Sequence, residues 1–260
     1  MPALLEMIKI VVLRVPNSVR VLPLENALNT SDKFDVVQFE AVMYDKSMSQ
    51  FSPNFKKQKV LYRRFLSNGE TGCTISHQLI QEKYSIQGKP IVILEDDARI
   101  PDLVKFELLI CKFIDEYGKE DAVLSLLPWK SAFVKAGPET DLKITRLTGK
   151  SPLTVGYVIT PKAMASMSAM NSDFSYLPDW PPTETKFYIT SEGVINHGDD
   201  KTFSLIDQTG RVKSGKVQKM LKLTCVPYVM NRKMFLNFAE YFRFAIKPSF
   251  TWRIDNWRNR

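Results

Sequence analysis

An α/β fold built on a mostly parallel sheet with helices on both faces is what this sequence predicts, and three observations lead there. Strand-like and helix-like segments alternate through the first half of the chain. The best-defined strand, Ile91-Val92-Ile93-Leu94, follows Gly88 and Pro90, reads as buried, and ends abruptly in Glu95-Asp96-Asp97. No Gly/Ser-rich linker divides the 260 residues, a length that carries one substantial domain with its own core.

In order, residues 8–15 supply the first strand. Asn17-Ser18 can cap a helix running to Leu28, with Pro23 either in its first turns or interrupting it. Residues 36–42 form a second strand, and 55–67 a helix carrying Lys56, Lys57, Lys59, Arg63 and Arg64. Thr71 or Thr74 opens the next helix, which reaches about Tyr84 and leads to the acidic strand. Pro101 suits a first helical turn, giving a helix to Tyr117, and residues 122–127 a further strand. Beyond Pro128 the pattern loosens into short strands at 131–135, 143–147 and 153–160, a helix over 161–170, and loops. The chain thus reads as a domain over 1–210, with halves at about 1–127 and 128–210, followed by a distinct segment over 211–260.

Composition sets the class. Hydrophobic residues at 44% and charged ones at 25% are those of a soluble globular protein. No stretch approaches the roughly 20 apolar residues of a membrane span. The apolar run at 8–13 is short and interrupted by Lys9, so it reads as a strand and not as a signal peptide. Cys73, Cys111 and Cys225 are odd in number and far apart, which suggests neither a disulfide framework nor a zinc site and fits a reducing cytoplasm.

The net charge of +8 is uneven: residues 211–260 hold twelve Lys or Arg against Glu240 and Asp255, leaving the preceding 210 residues at −2. Phe235, Phe238, Tyr241, Phe242, Phe244, Phe250, Trp252 and Trp257 are interleaved with that charge. The mixture suits an anionic lipid surface, and equally a helix that packs its aromatic face on its own domain. Nucleic acid is a weaker fit.

Three adjacent carboxylates at the end of an apolar strand need a reason, because ionised neighbours repel and partial desolvation adds to the cost. A divalent cation would remove both penalties. Alternation points Glu95 and Asp97 to one side and Asp96 to the other, unless the strand ends there. Ligands of open α/β sheets gather at the carboxyl ends of strands. Hard oxygen ligands suit Mg(II) or Mn(II), which keep positions open for phosphate oxygens. Taken alone, the triplet fits a solvated loop start as well.

The preceding segment separates these readings. Gly69-Glu70-x-Gly72-Cys73-x-x-Ser76-His77, followed by Ile-Leu-Glu-Asp-Asp, resembles family 25 of the glycosyltransferases, which includes bacterial lipopolysaccharide and lipooligosaccharide galactosyltransferases. The resemblance implies a GT-A-like nucleotide-sugar-binding sheet, to which this chain's own pattern adds a loop-rich acceptor side and a basic C-terminal helix or tail. It implies an inverting, metal-dependent transfer, with UDP-galactose as donor and Mn(II) or Mg(II) as cofactor. The acceptor would be a lipid-linked oligosaccharide, a growing lipooligosaccharide, reached from the cytoplasmic face of the inner membrane by a peripheral enzyme. It also places Arg20, in Asn17-x-x-Arg20, near the donor diphosphate or base, with a surface arginine as the other reading. Phe39-Glu40-Ala41-Val42 resembles the next family segment, but Met43-Tyr44-Asp45 stands where the family usually has Asp-Gly.

Sugar transfer needs neutralisation of the departing diphosphate and removal of a proton from the acceptor hydroxyl. For the first, Asp97 with Glu95 or Asp96 is the expected metal site, and His197, in Asn196-His197-Gly198-Asp199-Asp200, a further ligand or a polar turn residue. For the second, Asp179 is the first candidate and Glu70 the second; each also has a structural reading, as a helix cap and a loop-orienting group. Trp180 offers a face for a sugar, and Tyr157 lies on a strand assigned to donor binding. His77 shares a mostly apolar helical face with Cys73, Ile80 and Tyr84, which makes it a buried anchor and Cys73 a packing residue. Gly210-Arg-Val-Lys-Ser-Gly215-Lys216-Val217 has phosphate-loop spacing but Val217 where a Mg(II)-binding hydroxyl belongs, so a hairpin fits better than a nucleotide hydrolase. A basic membrane- or nucleic-acid-binding module is the non-enzymatic alternative.

Overall fold

The computed structural model describes residues 7–62, 64–127, 144–146, 154–178, 184–190 and 193–197. Their strands are β1 (Ile8–Arg14), β2 (Phe34–Glu40), β3 (Ile91–Glu95), β4 (Ala98–Arg99), β5 (Ala122–Ser125), β6 (Ile144–Arg146), β7 (Gly156–Ile159), β8 (Lys186–Thr190) and β9 (Asn196–His197). The helices are α1 (Leu22–Leu28), α2 (Phe55–Tyr62), α3 (Asn68–Ser85), α4 (Leu103–Tyr117) and α5 (Pro161–Met170). The first seven-stranded sheet has the order β2-β1-β3-β7-β5-β8-β6, and β4 and β9 form a separate antiparallel pair.

Five strands of the large sheet run one way and β6 and β7 run against them, since β7 is antiparallel to both β3 and β5 and β6 is antiparallel to β8. The sheet is therefore mixed α/β and mostly parallel, flanked by helices, as the alternation of elements implies. Its two faces are covered separately. Ile10, Val12, Val92 and Leu94 pack with Leu24 and Leu28 of α1 and Phe106, Leu109, Ile110 and Phe113 of α4. Val11, Leu13, Ile91 and Ile93 pack with Ile80 and Tyr84 of α3 and Ala163, Met164 and Met167 of α5. Odd and even strand positions thus meet different helices, the pattern that period two requires.

Several boundaries differ from the sequence expectation for local reasons. The first helix begins at Leu22 and not at Asn17, whose φ of 60° takes it out of helical space; Pro23 sits in the first turn, where it costs no hydrogen bond. The helix expected over 55–67 closes at Tyr62. The next opens at Asn68, ahead of Thr71: the Ser67 hydroxyl accepts from the Glu70 backbone N–H while the Glu70 carboxylate accepts from the Ser67 N–H, a reciprocal capping box. Asp102 caps α4, which starts at Leu103, so Pro101 precedes the cap and is not in the first turn. Strand β8, in a stretch read as loop, completes the sheet between β5 and β6. The expected strand at 131–135, the segment 211–260 and the near-phosphate loop at 210–217 lie outside the described residues.

Candidate active site

The Gly72-to-His77 segment is a docking device before it is anything else. A Cβ on Gly72 would lie 2.2 Å from the Val42 carbonyl oxygen and 3.2 Å from the Tyr44 nitrogen, so only glycine lets α3 approach the chain leaving β2 this closely. One turn on, the Ser76 hydroxyl accepts from the Val42 N–H at 2.8 Å and donates to the Gly72 carbonyl at 2.7 Å. These contacts bring the Cys73 and His77 side of α3 over the carboxyl end of β3. Gly156 does the same on the neighbouring strand, where a Cβ would meet Ile195 Cδ1 at 2.3 Å and Leu94 Cδ2 at 2.8 Å.

At the end of β3 the three acids separate. Glu95 is the last strand residue and follows Ile91 and Ile93 to the α3 side. Its Oε1 accepts from the Thr154 hydroxyl at 2.6 Å and lies 3.3 Å from His77 Nε2. His77 is buried; its Nδ1 is 2.8 Å from the Tyr157 hydroxyl, and the two rings stack with centroids 5.7 Å apart. Cys73 completes the cluster, so that one ligand atom each from Cys73, His77 and Glu95 lie within 4.8 Å of one another.

Asp96 and Asp97 go the other way. The strand has ended, so Asp97 does not return to the Glu95 side as strict alternation would have it, and both aspartates, 4% and 9% exposed, meet Arg20. Its Nη2 pairs with Asp97 Oδ2 and lies 3.6 Å from Asp96 Oδ1. Asp96 Oδ2 is buried without a hydrogen-bond partner among the described residues. A buried carboxylate oxygen left in that state is costly unless a donor or cation meets it.

The backbone brings one distant candidate here. Strand β9 pairs with β4, setting His197 opposite Ala98 and Asn196 opposite Arg99, so His197 stands in register beside the residue that follows Asp97. In sequence nothing but chemistry connected the two.

The other candidates lie as follows. Glu70 is 2% exposed and fully engaged: besides its capping role it pairs with Arg64 through Oε2 at 2.5 Å and Oε1 at 2.6 Å. These hydrogen bonds raise the Arg64 pKa above its ordinary value against the lowering effect of burial. A carboxylate held this way supports a helix start and is not placed as a base. Tyr157, expected at the donor, is 5% exposed, and its hydroxyl lies 2.8 Å from His77 Nδ1. Glu95, expected to share a metal with Asp97, is turned to His77 instead. Asp179 and Trp180 lie outside the described residues, as does the His197 side chain. Sequence reasoning missed Thr154, which carries no motif signal, and the Ser67-x-x-Glu70 capping pattern, which was legible.

Residues 24–180, more than half of the chain, match the model of glycosyltransferase family 25 (LPS biosynthesis protein). No curated protein matches the chain.

Proposed function

The chain belongs to glycosyltransferase family 25 and is a glycosyltransferase of LPS biosynthesis; from that premise we propose that it moves galactose from UDP-galactose to a growing lipooligosaccharide, with inversion, by single displacement on a GT-A-like fold. The observation that carries this reading is the pair of buried aspartates beyond β3, which share one guanidinium and leave Asp96 Oδ2 without a hydrogen-bond partner among the described residues. It is a site built for cationic charge at the strand end where α/β sheets gather ligands.

Asp97 and Asp96, with His197 as the third group, are the residues that would hold Mn(II) or Mg(II), an all-hard set apart from the imidazole. When bound, such an ion supplies charge neutralisation to a departing nucleoside diphosphate. Arg20 is the chain's own contribution to the same end. Its guanidinium already sits against the acid pair, and its planar fork suits phosphate oxygens. Deprotonation of the acceptor hydroxyl falls to Asp179, with Trp180 beside it to stack against a sugar ring. Glu70, locked in its capping box and ion pair, has no part in that step. The basic aromatic segment 211–260 would hold the enzyme at the cytoplasmic face of the inner membrane. Among the described residues no helix is long and apolar enough to cross a membrane.

The test is thermal-shift screening of UDP- and CMP-sugars with and without Mn(II). UDP-galactose is expected to stabilise the protein only with the metal, and Asp97→Asn to abolish that effect while leaving the ligand-free melting temperature within a few degrees of wild type. Absence of metal-dependent stabilisation by any donor well above a plausible Kd would overturn the reading.

A further inference from the structure

We propose that Cys73, His77 and Glu95 form a second metal site, separate from the aspartate pair and selective for a borderline-soft ion of the Zn(II) type. It does not rest on the galactosyltransferase reading.

The grounds are the identity of the ligands, their spacing and what holds them. Thiolate, imidazole and carboxylate are the donor set that zinc takes and that Mg(II) does not. Cys73 and His77 are four residues apart on α3, hence on one face, and Glu95 arrives from the end of β3, so two rigid elements present the three groups. Their ligand atoms lie within 4.8 Å of one another, close enough that small side-chain shifts bring them to the roughly 3.3–3.8 Å edges of a tetrahedron with zinc bond lengths. Solvent supplies the fourth corner, since Cys73 is partly exposed and the Glu95 side chain is 23% exposed.

The outer partners are those of a metal centre. Histidine ligands characteristically engage a second group through the ring nitrogen that does not face the metal, which fixes the tautomer and the ring plane. Here Tyr157 Oη sits 2.8 Å from Nδ1, leaving Nε2 directed at Glu95, and the stacked Tyr157 ring holds the imidazole plane. Thr154 orients the carboxylate in the same way through its 2.6 Å hydrogen bond to Oε1. On binding, Cys73 loses its proton to solvent and coordinates as thiolate.

The sequence reading excluded zinc because the cysteines are unpaired and distant. What it could not see was that the third ligand comes from a different element, brought in by Gly72 docking against the chain after β2.

Co(II) titration of the chelator-treated protein tests this, because tetrahedral Co(II) with one thiolate gives intense d–d bands and a thiolate charge-transfer band. One equivalent is expected to produce both, and Zn(II) to bleach them. Cys73→Ala should remove the charge-transfer band, and Cys73→Ser should do the same if the alanine variant fails to fold. Tyr157→Phe should keep the band but weaken Co(II) binding about 10- to 100-fold. Asp97→Asn should change nothing in these spectra, which separates this site from the proposed donor site. No charge-transfer band in the wild type would overturn the proposal, leaving a hydrogen-bonded network only. So would a band that survives in Cys73→Ser, since the thiolate would then be Cys111 or Cys225.

Discussion

The two flanks of the β3 terminus are built from adjacent residues and obey opposite rules. On the α3 flank, Glu95 is met by neutral or titratable partners, Thr154 and His77, inside a packed wall that includes Tyr157. On the α1 flank, Asp96 and Asp97 are met by a permanent cation, Arg20, and one carboxylate oxygen of Asp96 has no hydrogen-bond partner among the described residues. Neighbours in sequence are therefore not neighbours in chemistry when a strand ends between them. The first flank joins its groups by hydrogen bonds among uncharged or titratable side chains; the second is a charge arrangement that calls for more positive charge than one guanidinium provides.

The largest expected effect comes from Asp97→Asn, which removes charge from the second flank alone. Transfer to a lipooligosaccharide acceptor should fall about 1,000-fold, close to 4 kcal/mol of transition-state stabilisation. Circular dichroism and melting temperature should stay near wild type, because the Asn oxygen still accepts from Arg20. An equal collapse of fold and activity would show the flanks to be one cooperative unit. Next is Gly72→Ala, aimed at the docking of α3 that creates the first flank. A Cβ 2.2 Å from a backbone carbonyl forces the helix away, for a loss of about 1–3 kcal/mol in urea-denaturation stability. Wild-type stability in that variant would mean that α3 can shift without cost.

How much of this was readable from the sequence depends on which force decided each feature. The strand ending in Glu95-Asp96-Asp97 and the helix at Pro161 were legible because apolar runs, a proline at a helix start and a Thr160 cap are local signals. The sheet order was not, since β7 enters antiparallel between β3 and β5 by a long-range pairing that no residue announces. The same holds at the site. Alternation put Asp96 opposite Glu95, and the exception it carried, a strand that ends there, is the one that sends Asp97 to the Asp96 side. His197 was chosen by chemistry, and only the β4–β9 pairing sets its backbone beside that turn. Ser67 and Glu70 differ again: the capping signature was present, ahead of the Thr71 or Thr74 at which the helix was expected to open.

Arg20→Ala sharpens the comparison with effects of opposite sign. Removing the cation should tighten Mn(II) binding to the donor-free protein about 10-fold, read by EPR of free Mn(II), since the acid pair loses a competing positive charge. The same change should weaken UDP-galactose binding in the presence of Mn(II) by about 10-fold, through loss of a charge-assisted phosphate contact. If both affinities fell together, Arg20 would be shaping the turn and not competing for its charge.

Thr154→Val is the smallest change and the cleanest probe of the first flank. The valine keeps the volume and removes one hydroxyl hydrogen bond, at 2.6 Å to Glu95 Oε1. A single hydrogen bond of this kind contributes about 1 kcal/mol net, and partial exposure of Glu95 lets water replace some of it, so the melting temperature should drop by roughly 2–4 °C. Mn(II)-dependent donor binding should not change, because the Thr154 hydroxyl donates to the carboxylate that faces His77. A donor-affinity loss matching that of Arg20→Ala would place Glu95 back beside Asp97 as a shared ligand. The division at the strand end would then describe the ligand-free chain alone, and the three acids would act as one group once the donor is bound.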